Sequence, residues 1–124
     1  MRGIRGAITV EKDTKEEIWR AATEMVEKML AANDVRPEDI GAAIFSQTED
    51  LLAAFPSAGV RQNVPGFALV PLFDARQLAI EGSLPHCIRV LLLVDTDKSQ
   101  REIQHIYLGE AARLRPDLGA SQKK

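Results

Sequence analysis

The sequence has few of the residues that mark metal sites, disulfide frameworks or nucleophilic enzymes. It contains one cysteine, Cys87, and two histidines among 124 residues. One cysteine cannot form an intrachain disulfide, and these three residues lack the spacing of a structural zinc site. We also find no serine in a nucleophile elbow and no glycine-rich phosphate loop. The sequence therefore gives no reason to expect a metal or another cofactor.

The chain also lacks a strong excess of either charge and a long apolar run. It has 16 basic and 18 acidic residues, for a formal net charge of −2. This balance gives no reason to expect nucleic acid or an anionic membrane as a partner. No segment approaches the roughly 18 apolar residues of a membrane-spanning helix, and the N-terminus has no apolar signal segment. We therefore expect a cytoplasmic protein.

The hydrophobic patterns that are present predict a single α/β domain. Residues 3–11 are rich in β-forming side chains, and residues 87–94 form the most apolar run, which predicts a central strand. Thr14 and Glu17 have the spacing of a capping box, and the apolar residues after them recur at helical spacing to about Ala32. These segments predict one sheet with one long helix packed on it.

The other segments give shorter or less definite elements. We predict strands at 40–45 and 67–73, and short helical turns at 51–63 that Pro56 interrupts. Residues 100–114 are ambiguous, because their composition favours a helix while their apolar residues also alternate as in a strand.

Arginines within apolar segments are the least expected feature of the pattern. Arg89 interrupts the most apolar strand, where an unpaired charge would cost several kcal/mol, and Arg5 lies between two glycines of the first strand. Either residue could face solvent or pair with a structural carboxylate. Alternatively, they face a cavity for an anionic ligand. With so little nucleophilic or acid–base machinery, such a cavity suits anion binding or a reaction that needs only shape and fixed charge.

Several segments together resemble one enzyme family. The chain opens with Arg2-Gly3-Ile4-Arg5-Gly6-Ala7, and further matches follow in order: Ala54-Phe55-Pro56, Val60-Arg61, Val70-Pro71, Gly82-Ser83-Leu84-Pro85, Cys87-Ile88-Arg89-Val90, His105-Ile106-Tyr107-Leu108 and Leu114-Arg115-Pro116-Asp117-Leu118. The combination is similar to the monofunctional bacterial chorismate mutases of the trimeric, α/β-barrel-like class, and it spans nearly the whole chain.

This resemblance implies a fold, an assembly and a reaction. The fold would be a mixed sheet with one long helix and short helical turns, in a trimeric pseudo-barrel. Residues 1–118 would form the domain, and residues 119–124 a flexible tail. The homotrimer would convert chorismate to prephenate between its subunits, without a cofactor, a metal or a covalent intermediate. The resemblance also favours a strand within 105–114. The alternative function is a catalytically weakened trimeric binding protein for a carboxylate metabolite.

The resemblance also implies roles for individual residues. Arg89 matches the arginine that hydrogen-bonds the ether oxygen of the substrate. Arg5 and Tyr107 match groups that hold a carboxylate. The other matches border or line the cleft: Arg61 and Arg115 at its entrance, Phe55 and Leu114 in its apolar wall, and Leu72, Phe73 and Asp74 on its floor.

At one position the sequence departs from the family pattern. The family usually has a glutamate that bonds the substrate hydroxyl and pairs with the arginine at the position of Arg89, whereas this chain has Gln77. Three residues earlier it has Asp74, where the family has a small residue. Because a buried Arg89 needs a counter-charge, we hypothesise that Asp74 supplies it, while Gln77 keeps a hydrogen bond to Arg89 or to the substrate hydroxyl.

Overall fold

In the computed structural model, which describes residues 1–113, five strands form one mixed sheet. The order across the sheet is β3-β2-β4-β1-β5. Strand β4 pairs antiparallel with β1 and β2, while the β1–β5 and β2–β3 pairs are parallel. The predicted mixed sheet is confirmed, with the most apolar strand at its centre. The strands are β1 (Arg2–Thr9), β2 (Ile40–Gln47), β3 (Leu72–Arg76), β4 (Cys87–Val94) and β5 (Ile106–Leu108).

Within residues 1–113, two α-helices and four short 3-10 helices accompany the strands. The long helix α1 (Lys15–Asn33) begins as predicted, because the Thr14 hydroxyl accepts a hydrogen bond from the Glu17 N–H at 3.2 Å. The short helix α2 is Pro56–Asn63. Neither helix within residues 1–113 is long and apolar enough to cross a bilayer. The 3-10 helices are Pro37–Asp39, Phe67–Leu69, Gln100–Glu102 and Gly109–Arg113.

Helix α1 packs closely on one face of the sheet, which we call the helix face. Its buried residues, among them Met25 and Met29, belong to the same core cluster as Ile4 and Val90. A Cβ atom on Gly6 of β1 would lie only 2.4 Å from the Met29 sulfur. Glycine at this position is therefore what allows the helix to approach the strand.

The opposite face of the sheet, which we call the open face, has little cover from residues 1–113. Alternation along β4 places Leu91 and Leu93 there, and both side chains are half-buried. Phe73 lies on the same face, since it pairs with Ile44 of β2, and it is 65% exposed. Among the described residues, the last 3-10 helix covers this face only at the end near Tyr107. A largely uncovered apolar face indicates contact with another surface.

The strand predicted at 67–73 was wrong in its position. Residues 67–69 form a 3-10 helix after Gly66, whose φ of 91° makes the turn, and the strand runs from Leu72 to Arg76. Pro71 lies just before the strand, and its carbonyl accepts a hydrogen bond from the Ala43 N–H. Because proline has no N–H to donate, it fits at the start of a strand and not within it.

Two other segments also differ from what the sequence pattern predicts. Pro56 does not interrupt helical turns: it is the first residue of α2, where its missing N–H has no cost. The ambiguous segment 100–114 contains both kinds of structure, with strand β5 between two 3-10 helices. The strand favoured by the family resemblance is thus present, although only three residues long. The tail expected at 119–124 lies outside the described residues.

A buried amide joins the end of α1 to the segment that leads into β5. The Asn33 side chain is 1% exposed. Its Nδ2 donates to the carbonyls of Met29 and Gln104 at 2.9 and 2.8 Å, and its Oδ1 accepts from the Gln104 N–H at 2.7 Å. One side chain therefore satisfies three backbone groups of two elements, which fixes where β5 begins.

We predict that Asn33→Ala lowers the free energy of unfolding by about 2 kcal/mol, because it leaves buried backbone groups without partners. Chemical denaturation with a constant m-value would measure the change. Gln104→Ala is the matched control, since only the backbone of Gln104 contacts Asn33 and its side chain is exposed. An equal loss in both variants would contradict this role for Asn33.

Candidate active site

Two predicted site residues lie in one row across the open face. Ala7 of β1 pairs with Tyr107 of β5 on one side and with Arg89 of β4 on the other. Paired residues point to the same face of a sheet, and neighbouring strands lie about 4.8 Å apart. The small side chain of Ala7 therefore separates Tyr107 from Arg89.

A third predicted residue, Arg5, lies on the same face, two residues before Ala7. Its Cζ atom is 5.9 Å from the centre of the Tyr107 ring, within the range of a cation–π contact. The structure thus brings together Arg5, Arg89 and Tyr107, which we call the arginine group.

The arginine group and Gln77 contain buried polar atoms without hydrogen-bond partners. Among the described residues there are five such side-chain atoms, and three of them are Arg89 Nε, Tyr107 Oη and Gln77 Oε1. Each atom of this kind costs about 1–3 kcal/mol, so proteins retain few of them. Their concentration at predicted site residues makes this end of the sheet the candidate binding region.

Gln77 follows β3 directly and is only 9% exposed. It lines a cavity of about 360 Å³ together with Asp50 and the loop from Leu78 to Pro85. This loop leads back to the start of β4 and therefore to Arg89.

Three other predicted residues lie around α2, and we call them the helix group: Phe55, Arg61 and Asp74. Phe55 precedes the first turn of α2 and is 68% exposed, while Arg61 is exposed in its last turn. Phe55 and Asp74 line a cavity of about 340 Å³. The three residues of the arginine group are absent from the lining of that cavity. The two other residues predicted for the cleft floor differ from each other in exposure: Leu72 is half-buried, whereas Phe73 is exposed on the open face.

Asp74 has a structural partner that we did not predict from the sequence. Its carboxylate accepts hydrogen bonds from the Ser57 hydroxyl and, at 3.4 Å, from the Ser57 N–H. Asp74 thus caps the first turn of α2, where Phe55 offers no side-chain acceptor. The sequence did contain a signal for this cap. Phe55, which precedes the helix start at Pro56, has no side chain that can accept a hydrogen bond, so the N–H of Ser57 needs an acceptor from elsewhere in the chain.

Within one chain, Asp74 does not contact Arg89. Asp74 pairs with Phe45, a core residue of the helix face, whereas Arg89 pairs with Ser46 on the open face. The hypothesised counter-charge is therefore not formed inside a single subunit. Two further predicted site residues, Leu114 and Arg115, lie outside the described residues.

A carboxylate anchors the loop before β4. Asp50 accepts hydrogen bonds from the Thr48 hydroxyl and from the His86 N–H, and His86 has a φ of 50°, which is uncommon for a residue other than glycine. Partial burial acts to raise the pKa of Asp50, but these hydrogen bonds outweigh it, so that its pKa lies below the ordinary value. The ionised carboxylate thereby holds His86, which directly precedes β4 and lies three residues before Arg89.

Cys87 is buried, and burial raises the pKa of its thiol although the nearby Arg89 opposes this. A protonated, buried thiol is a poor nucleophile, so Cys87 serves here as a small apolar residue. Within the described residues, no group of three or more His, Cys, Asp or Glu side chains could hold a metal ion.

Comparison with known proteins gives one consistent family. A family model for chorismate mutase type I matches residues 1–118. Chorismate mutase AroH of Thermus thermophilus is 52% identical over 123 residues, which cover 98% of this chain and 99% of the relative. Chorismate mutase AroH of Bacillus subtilis (strain 168) is 42% identical over 122 residues, which cover 98% and 95%.

Comparison of the fold with solved structures supports the same family. A solved chorismate mutase from Clostridium thermocellum is similar with a TM-score of 0.86 at 37% identity, over 90% of this chain and 97% of that chain. The similarity thus extends over nearly all of the elements described above.

We predict that the stabilising effect of Asp50 depends on pH. A carboxyl group whose pKa is lowered by folding stabilises the protein above its unfolded-state pKa of about 3.9, and this contribution disappears as the pH falls through the lower folded-state value. Asp50→Asn should therefore lower the Tm near neutral pH, and the difference from the parent protein should shrink below about pH 4.

Thermal unfolding monitored by circular dichroism would measure both proteins over this pH range. Glu27→Gln, on the exposed side of α1, controls for the loss of one negative charge. A difference in Tm that stays constant from about pH 6 to pH 3 would contradict the prediction.

Proposed function

This chain belongs to the chorismate mutase type I family, and we propose that it rearranges chorismate to prephenate in clefts that neighbouring subunits of a homotrimer build together. Its relatives are enzymes by name, which favours catalysis over the alternative of a binding protein without turnover. The observation that carries the cleft proposal is the separation of the arginine group from the helix group, on opposite faces of one sheet.

The open face supports an assembly. It is apolar at Leu91, Leu93 and Phe73, and it continues into exposed side chains of the following loop, Leu78 and Ile80, which are 78% and 62% exposed. Contact with a second subunit would cover these side chains and bring another chain close to the arginine group. A cyclic trimer repeats such a contact three times and leaves three equivalent clefts.

The chemistry requires little beyond shape and charge. Chorismate is a dianion that must fold into a compact conformation before its bonds rearrange. Arg5 and Tyr107 would hold a carboxylate of the folded substrate, and a rigid cleft would select that conformation. Arg89 would donate a hydrogen bond to the ether oxygen, where negative charge increases as the carbon–oxygen bond breaks. This contact is stronger in the transition state than in the ground state and therefore raises kcat.

The remaining residues would complete the cleft. We propose that the helix group of one subunit faces the arginine group of its neighbour, with Phe55 as apolar wall, Leu72 and Phe73 on the floor, and Arg61 at the entrance. Leu114 and Arg115 belong to the same proposal through the family resemblance.

We further propose that Asp74 of one subunit supplies the carboxylate that faces Arg89 of the next. Its hydrogen bonds to Ser57 fix its direction at the rim of the 340 Å³ cavity that it shares with Phe55. Gln77 would then provide a neutral hydrogen bond to Arg89 or to the substrate hydroxyl.

We also propose that the protein is cytoplasmic, in line with its single cysteine.

Arg89→Ala should abolish most of the activity. Loss of a preorganised charge contact at the reacting oxygen should lower kcat by at least about 10²–10³-fold, with a smaller change in KM. The decrease in the ultraviolet absorbance of chorismate measures the rate, and acid conversion of the product to phenylpyruvate identifies prephenate. No conversion by the folded parent protein would contradict the enzymatic function, and full activity of Arg89→Ala would contradict this role.

A shared cleft predicts complementation between Arg89→Ala and Arg61→Ala, each of which we expect to have low activity because each removes a cation from one side of the cleft. Co-refolding Arg89→Ala with Arg61→Ala in equal amounts should restore activity in about a quarter of the sites, because some clefts then combine two intact halves. Arg89→Ala with Arg5→Ala is the control, since both changes lie in the same group. Absence of recovery in the first mixture, with trimers demonstrated by light scattering, would contradict a cleft shared between subunits.

The role of Asp74 can be separated from its contact with Ser57. Asp74→Asn keeps hydrogen-bonding atoms near Ser57 but removes the charge, and we expect it to lower kcat by at least about tenfold. Ser57→Ala removes the hydroxyl donor but keeps the backbone N–H and the carboxylate, and should retain most of the activity. Full activity of Asp74→Asn or of Asp74→Ala would show that Asp74 is not the carboxylate facing Arg89.

A further inference from the structure

His105 makes a hydrogen bond to the backbone of a proposed substrate-binding residue. Its Nδ1 accepts from the Arg5 N–H at a distance of 2.9 Å, across 100 residues of sequence. An N–H donor requires an unprotonated nitrogen as its acceptor, so the ring proton of neutral His105 lies on Nε2. The half-buried imidazole is therefore held in one tautomer and one orientation.

The position of this contact follows from the pairing of β1 and β5. The first pair of that ladder is Gly6 with Ile106, so β5 begins opposite the residue after Arg5. His105 directly precedes β5, and its imidazole accepts the hydrogen bond of the Arg5 N–H that a backbone carbonyl would accept if the ladder were longer. A strand N–H in this half-buried position needs a partner, and His105 is the partner it has.

Segment 105–107 therefore contacts Arg5 at two points. His105 holds its backbone, and the Tyr107 ring lies 5.9 Å from its guanidinium carbon. The side chain of Arg5 extends from a strand next to the cleft, so a small shift of its backbone moves the guanidinium away from a bound carboxylate. Displacements of about 1 Å at such contacts are enough to weaken them strongly.

We propose that His105 is a positioning residue that sets the location of Arg5 for substrate binding. The inference rests on the proposed role of Arg5 and adds a residue to it. Arg5 would contact a carboxylate that is present in the ground state and in the transition state alike. A shift of Arg5 therefore weakens both states and raises KM more than it lowers kcat.

Two amide substitutions distinguish the two ring nitrogens. In His105→Asn, the side-chain oxygen can occupy the position of Nδ1 and accept from Arg5, whereas in His105→Gln the amide reaches the position of Nε2 instead. His105→Asn should keep the KM for chorismate within about twofold of the parent protein, while His105→Gln should raise it about tenfold with a smaller change in kcat. Equal KM values for the two variants would overturn the proposal.

A second comparison tests whether the effect passes through Arg5. In an Arg5→Ala background there is no guanidinium to position, so His105→Asn and His105→Gln should have the same KM. A tenfold difference that persists in this background would overturn the proposal, because His105 would then act on another part of the cleft. Thermal unfolding and light scattering would verify that each variant folds and assembles.

Failure of the inference is distinguishable from failure of the proposed site. If Arg5→Ala alone leaves KM unchanged, the proposed role of Arg5 is wrong, and the role of His105 falls with it. If Arg5→Ala raises KM but the two His105 variants do not differ, only the inference is wrong. Hydrogen exchange of the Arg5 amide provides a direct measurement, and we expect about tenfold faster exchange in His105→Gln than in His105→Asn.

Discussion

The close packing of α1 on one face of the sheet is the constraint on which the remaining structure depends. It requires Gly6 in β1, since any larger residue would meet Met29. Once this face is filled, alternation along β1 and β4 assigns every second residue to the other face. Arg5 and Arg89 lie there, away from the apolar core, which lowers the cost of an arginine in an apolar strand, although Arg89 Nε is still buried without a partner.

Anchoring of separate elements by side-chain hydrogen bonds explains how so short a chain can hold a defined site. Side-chain hydrogen bonds over long sequence separations join the elements that carry the site residues: Asn33 fixes the segment before β5, Asp50 fixes the start of β4, and Asp74 fixes the start of α2. Each of the three side chains bonds at least one backbone group, so the bonds locate strands and helices as whole elements. Arginines on such elements are preorganised, and preorganisation is what electrostatic catalysis requires.

The residues at which this chain departs from the family pattern, Gln77 and Asp74, affect the charge balance around Arg89. A neutral residue in place of the usual glutamate leaves Arg89 without a carboxylate from its own loop, and Asp74 of the same chain points to the other face. In the proposed trimer, the counter-charge would come from a neighbouring subunit. Charge balance at the cleft would then be completed only on assembly, which links the activity of this enzyme to its quaternary structure.

The sequence by itself determined the central strand, the long helix with its Thr14 cap, and the arginines of the open face, because these follow from local periodicity and from single charges in apolar runs. The family resemblance supplied the reaction. Only the tertiary structure decided where β3 lies relative to Pro71, that Asp74 caps α2, and that His105 bonds Arg5. Those contacts join residues distant along the chain, and no local pattern encodes which backbone group a side chain will reach across the fold.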